Sequence, residues 1–151
     1  YRVAYHALNS REDAEDVMQT VLLKLYECKK EFESEEHLKH WLLRVAVNES
    51  RKVRRSFWRR ACVPLEEWQE TAAPEDAARA EVLRQVMALE AKYRVAVCLY
   101  YYEGLSVAET AAVMRANPST VQTWLLRARA RLRKELEEKE ESVHVRPEIV
   151  P

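Results

Sequence analysis

Apolar residues recur along this chain at intervals of three and four, never in sustained alternation with polar ones, which predicts helices and no sheet. The pattern is sharpest over residues 106–132, SVAETAAVMRANPSTVQTWLLRARARL. Ser106 followed by Glu109 is a capping box, so a helix is expected to start at Val107. Asn117 can cap a second helix whose first position is Pro118, where the missing backbone N–H has no bond to lose. From there Val121, Leu125, Ala128 and Leu132 form one apolar stripe. At roughly 100° per residue, Ser119, Thr123, Arg127 and Lys134 fall on the opposite side, flanked by Thr120 and Gln122. The prediction is two helices joined by a sharp turn, the second with a polar, basic outer face.

Upstream, residues 1–9 read as the end of a helix with Val3, Ala4, Ala7 and Leu8 inward. The chain opens at Tyr1 rather than at a methionine, as expected if that helix begins further upstream. Ser10 with Asp13 signals a new start, and its acidic first turn suits a helix N-terminus. This helix is expected to reach about residue 30, with Ala14, Val17, Met18, Val21, Leu25 and Cys28 as its core stripe. Opposite lie Glu12, Asp13, Asp16, Gln19, Thr20, Leu23 and Glu27, so Leu23 is an apolar residue within an acidic face. Either it is a lone exposed leucine, which is common, or it anchors a partner surface. Residues 31–36 form a short polar loop carrying Phe32, and Ser34 caps a long helix to about residue 55. Leu38, Trp41, Leu42 and Val45 lie on one side of it, while Leu43 and Val47 point nearly the other way, as in a central element.

Residues 61–78 contain Pro64, Pro74, many acids and no apolar stripe, which predicts a linker. A helix resumes at 79 with Val82, Val86 and Leu89 as its stripe, and another follows over 93–103. Gly104, the one glycine of the chain, ends that helix in the left-handed cap position. Residues 142–151 read as a disordered tail. The prediction is an all-α protein of two small helical domains, 1–60 and 79–141. They are joined by the linker 61–78, and the second is a four-helix domain.

Charge sharpens this picture. Lys and Arg number 25, as do Asp and Glu, so the net charge is near zero. The two signs are nevertheless segregated: residues 51–60 and 127–134 are basic, 66–76 and 135–141 acidic. Nucleic-acid binding needs local positive potential, not a high overall pI. A helix-turn-helix with a basic outer face fits a DNA major groove; its bland alternative is a helical hairpin with a solvated face. The stretch SRKVRRSFWRR interleaves arginines with Phe57 and Trp58, which suits backbone contacts plus base stacking; a solvated basic helix end is the alternative. Three widely spaced cysteines, Cys28, Cys62 and Cys98, suit free thiols in a reducing cytoplasm. No signal peptide or long apolar run is present, so no membrane insertion is expected.

Two blocks, in order, resemble the extracytoplasmic-function (ECF) sigma factors of bacterial RNA polymerase, in the sigma-70 family. SREDAEDVMQTVLLKLYE with HWLLRVAVNESRKVRR is similar to the family's second conserved region. YYEGLSVAETAAVMRANPSTVQTWLLRARARLRKEL is similar to the fourth. The resemblance implies that Asp13, Asp16, Gln19 and Leu23 dock on the coiled coil of the polymerase clamp. It implies that Phe32 and Asn48 hold a flipped base of the −10 element, with Trp41 at the melting edge and Arg44, Arg51, Lys52 and Arg55 on strand backbones. The residues themselves favour a core role for Trp41. It further implies that the linker threads toward the active-site channel. The −35 duplex would be read by Ser119, Thr120, Gln122, Thr123 and Arg127, with Arg115 in the turn of the motif. An anti-sigma protein is an expected partner, for which Leu23, Leu43 and Leu126 offer apolar contacts. The chain departs from the family pattern in carrying Arg115 where a small residue or glycine is usual, and in the uncharged Gln122 and Trp124.

Other classes fit less well. No phosphate loop and no nucleophile–base pair supports an enzyme, and no cofactor is implied. Cys28, His37 and His40 offer three ligands in no known metal frame, so no metal is expected. The main alternative is a helix-turn-helix regulator that binds duplex DNA without acting as a polymerase subunit. Such a protein has no need of the acidic helix face or of the aromatic basic stretch.

Overall fold

A computed structural model of the chain describes residues 1–60 and 77–144. Of the expected linker 61–78, residues 61 to 76 lie outside the described residues, while 77 and 78 already belong to a helix. Of the expected tail 142–151, residues 142 to 144 continue the last helix and those from 145 lie outside, as do the side chains of Phe57 and Trp58. Among the described residues every regular element is a helix. The first half holds α1 (Arg2–Leu8), α2 (Arg11–Glu27) and α3 (Glu35–Arg60). The second holds α4 (Ala77–Ala88), α5 (Ala91–Val97), α6 (Val107–Met114) and α7 (Pro118–His144).

Local chemistry sets the boundaries. Asn9 ends α1 in the left-handed conformation, φ 54°. The Ser10 hydroxyl accepts from the Asp13 N–H and starts α2, and Ser34 accepts from the His37 N–H and starts α3. Ser106 and Glu109 form the expected capping box on α6, each side chain accepting from the other's backbone N–H. After α5 the backbone widens into one π-helical stretch, Cys98–Tyr102, where the Glu103 N–H donates to the Cys98 carbonyl. Gly104 then leaves the helix at φ 71°. The turn between α6 and α7 is closed by Arg115 at φ 51°, a conformation that side-chain-bearing residues seldom adopt.

Two cores form, and α3 serves both. Ala4, Ala14, Val17 and Val21 make the first, with Leu42, Val45 and Val53 of α3 packed on it. The second gathers Val86, Leu89, Tyr93, Val95 to Leu99, Leu105, Val113, Val121 and Leu125. It also takes in Val3 of α1 and Val47 of α3, with Leu43 packed against it. The halves therefore share a core, and the two-faced reading of α3 is explained. This burial corrects Leu43, expected as an exposed contact, because α6 and the second core cover it.

Other positions on the predicted stripes also differ. Met18 is 37% exposed at the edge of the α2 stripe, beyond the reach of α1 and α3. Cys28 caps the end of α2, which stops at Glu27, and is only half-buried. Val82 lies exposed, a turn before the part of α4 that reaches α7.

Candidate nucleic-acid interface

The outer side of α2 carries Asp16, Gln19 and Leu23 exposed, with Asp13 half-buried at the cap. Leu23 is not alone. Leu22 and Tyr26 are also bare, at 55% and 90% exposure beside Leu23 at 63%. Sequence reasoning missed them, although Met18, Leu22 and Tyr26 repeat at intervals of four and form a second stripe on α2. This band is large and apolar for one exposed helix face, the composition of a partner surface.

On α3, Trp41, Arg44, Asn48, Arg51, Lys52 and Arg55 fall within an arc of roughly 100°. It lies between the face on the first core and the face toward the second half. Phe32 is half-buried with its ring edge-on to Trp41, centroids 5.5 Å apart. Trp41 thus belongs neither to a core nor to open solvent: it floors a small aromatic step two turns before the half-buried Asn48. Arg44, Lys52 and Arg55 are exposed. Lys52 pairs with Glu49 at 2.8 Å, and Arg55 Nε donates to the Arg51 carbonyl.

Arg51 does something else. It stands at the edge of the arc nearest the second half, and its Nη2 donates at 2.7 Å to the carbonyl of Met114, the last residue of α6. Burial pushes its guanidinium below its ordinary pKa, followed by repulsion from Arg54, Arg115 and Arg55. Expected as a strand contact, Arg51 is here a clasp between the halves. A small cavity of about 50 Å³ lies beside it, lined by Ser50, Arg54, Lys92 and Met114 among others.

A second clasp was not legible in sequence. Arg94 of α5 donates to the carbonyls of His6 at 2.6 Å and Ala7 at 3.4 Å on α1. It also donates to those of Met87 at 3.0 Å and Leu89 at 2.8 Å. One guanidinium thus satisfies the orphan carbonyls at the ends of two helices. No local pattern marks it as a clasp, because its partners on α1 lie 87 and 88 positions away.

On α7 the polar face is clear. Ser119, Gln122, Thr123 and Arg127 are exposed and Thr120 half-buried, above a stripe of buried Val121, Leu125 and Ala128. The Thr123 hydroxyl donates to the Ser119 carbonyl at 2.9 Å. Arg115 is exposed at the turn. Leu126 projects from the same face, 63% exposed.

Residues 1–60 match the family model described as sigma-70 region 2, and residues 79–132 that of sigma-70, region 4. A sigma-E factor of RNA polymerase from Streptomyces coelicolor is 34% identical over 131 residues, 82% of this chain and 72% of that protein. The chain belongs to the sigma-70 family. Within it the ECF branch is the match: the ECF sigma factor SigM of Mycobacterium tuberculosis is 31% identical across 87% of this chain and 68% of its own length. This sigma factor has the fold of RpoE from Bartonella quintana, solved in complex with the anti-sigma factor NepR. The TM-score is 0.78 at 24% identity, over 89% of this chain and 88% of that one. CnrH, solved with the cytosolic domain of CnrY, follows at a TM-score of 0.61 and 22% identity, over 91% and 79% of the two chains. The protein is thus an alternative sigma factor, which directs promoter recognition. A match to region 2 across the first 60 residues disfavours the reading as a free-standing helix-turn-helix regulator.

Proposed function

We propose that this sigma factor divides promoter recognition between its halves while bound to core RNA polymerase, contributing no catalytic group of its own. The apolar band of α2, with Asp13, Asp16, Gln19 and Leu23, docks on the clamp coiled coil. Phe32, Trp41 and Asn48 take an unstacked base of the −10 element, and Arg44, Arg51, Lys52 and Arg55 hold strand phosphates. Extruding a base costs a few kcal/mol, which the aromatic step and the Asn48 amide offset. Ser119, Thr120, Gln122 and Thr123 read −35 base edges, with Arg127 and Arg115 on the backbone. The observation that carries this reading is α7 itself, a recognition helix with an open polar face over a sealed apolar stripe.

The observed packing then has to open. Elements at −10 and −35 lie about 25 base pairs apart, roughly 85 Å along the duplex. Halves clasped through Arg51 and Arg94 cannot reach both. An anti-sigma protein, the kind of partner seen with RpoE and CnrH, would cover the bare Leu23 and Leu126 and keep the factor from polymerase. Such a factor works in the cytoplasm. No helix among the described residues is long and apolar enough to cross a membrane.

Run-off transcription with core polymerase on a randomised promoter library tests the proposal. Asn48→Ala should cut −10 opening by about 5- to 150-fold, from the 1–3 kcal/mol that one base contact supplies, while duplex −35 binding stays within twofold. Equal loss of both activities, or no association with core polymerase, refutes it.

A further inference from the structure

The face of α3 that meets the second half carries chemistry that promoter recognition does not use. Glu36 and His40 are one turn apart on α3, so both side chains project from one side, toward α6. Glu109 faces them from the third position of α6. One of its oxygens, Oε2, accepts from the Ser106 N–H at 2.7 Å in the capping box. That bond fixes the carboxylate and leaves Oε1 aimed at His40 Nε2, 3.5 Å away. His40 Nε2 is buried and has no hydrogen-bond partner. A donor atom from each of the three residues lies within 4.8 Å of the other two.

We propose that Glu36, His40 and Glu109 form a binding site for a divalent transition-metal ion of the zinc class, bridging the two halves. Zinc bonds of 2.0–2.1 Å set neighbouring ligands about 3.4 Å apart in a tetrahedron, close to the His40–Glu109 separation. An imidazole nitrogen with two carboxylate oxygens suits Zn²⁺, Co²⁺ or Ni²⁺, whereas a site of oxygens alone suits Mg²⁺ or Ca²⁺. Two carboxylates balance the ion's charge. The neighbouring Lys39 ammonium still acts on Glu109, but it donates at 2.7 Å to the Glu103 carbonyl and pairs with the Glu103 carboxylate at 3.8 Å. The Ser106 bond behind Glu109 is the outer support that orients a metal ligand. Three protein ligands leave a fourth position to water, and the exposed Glu36 gives the ion a route in without unfolding.

The location gives the site its consequence. Two ligands belong to the first half and one to the second, so only the clasped arrangement presents all three. An ion at a hundred times its Kd therefore raises the closed-to-open ratio about a hundredfold, and promoter binding weakens by the same linkage. That last consequence rests on the opening proposed above; the site does not.

The test uses the full chain stripped of metal, titrated with Zn²⁺ by calorimetry and with Co²⁺ by visible absorption. Dyes on α2 and α7 report closure by energy transfer. One ion per chain is expected, with a tetrahedral cobalt spectrum and increased transfer. Affinity should fall at least tenfold in His40→Ala and in Glu109→Gln, the second of which keeps the cap's acceptor. Glu36→Gln, at an exposed position, loses only the small helix-end benefit of its charge and should weaken binding likewise. The proposal is overturned by no binding at 100 µM metal, by binding that survives all three substitutions, or by a thiolate-to-cobalt charge-transfer band. Binding with unchanged energy transfer overturns the bridging role. Transcription enters none of these readouts, so failure of promoter recognition would be seen separately.

Discussion

Arg94→Met separates closure from DNA contact, because Arg94 belongs to no proposed promoter surface. The guanidinium makes two bonds across the halves, to His6 at 2.6 Å and Ala7 at 3.4 Å, and two within the second half. The bonds to Met87 and Leu89 are lost equally in clasped and opened molecules, so they lower the stability of the second half without shifting the balance between states. The bonds to α1 exist only when clasped. The short one is a charge-assisted bond in a half-buried setting, worth about 2 kcal/mol, and the long one adds little. At 1.4 kcal/mol per factor of ten, the closed-to-open ratio should fall about 30-fold. Energy transfer between dyes at Glu12 and Ala130 measures the ratio directly. If polymerase binds only the opened form, its apparent affinity rises by up to the same factor. Unchanged energy transfer in a variant that still melts cooperatively would show that the clasp carries no such energy.

Three further outcomes are expected. Burial, then Arg94 and Arg2, push the His6 imidazole down to about 4 from 6.5; unfolded chains then take up a proton that folded ones refuse. Stability should therefore fall as pH drops from 6.5 toward 4, by at most about 1.4 kcal/mol per pH unit. Urea titrations at pH 7, 5.5 and 4.5 should lose part of this slope in His6→Gln, and an identical slope refutes the assignment. Arg115→Gly relieves a left-handed side chain worth about 1 kcal/mol, offset in part by added unfolded-state freedom. Its Tm should hold or rise by up to about 3 °C, and a clear fall by calorimetry refutes the strain. Burial, then Glu103, push the Cys98 thiol up to about 12; native alkylation followed by mass spectrometry should label Cys28 and spare Cys98, and equal rates would contradict its sealed position.

Much of the fold was written locally. Ser10, Ser34, Ser106 and Gly104 act where they stand, through bonds to residues three or fewer positions away or through their own φ, so a short window suffices to read them. The two faces of α3 were legible because Leu42 and Val45 diverge from Leu43 and Val47 on any helical projection. The covering of Leu43 was not, since it depends on α6 arriving from 64 or more positions later in the chain. Arg51 shows the same limit at the candidate site: its residue type and helical position announce a phosphate contact, and only the approach of Met114 diverts it. Leu22 and Tyr26 were missed for a different reason. Leu23 among acids drew notice as an exception, whereas the spacing of Met18, Leu22 and Tyr26 mimics a core stripe.

The shared core also sets a condition on any opened molecule. Val3, Val47 and Leu43 are covered by residues of the second half, so parting the halves wets aliphatic surface on α1 and α3 that has no cover of its own. If the halves part on the way to polymerase, as proposed above, the molecule in between is adhesive and prone to self-association. On that proposal, a partner that engages the open form at once also covers this surface.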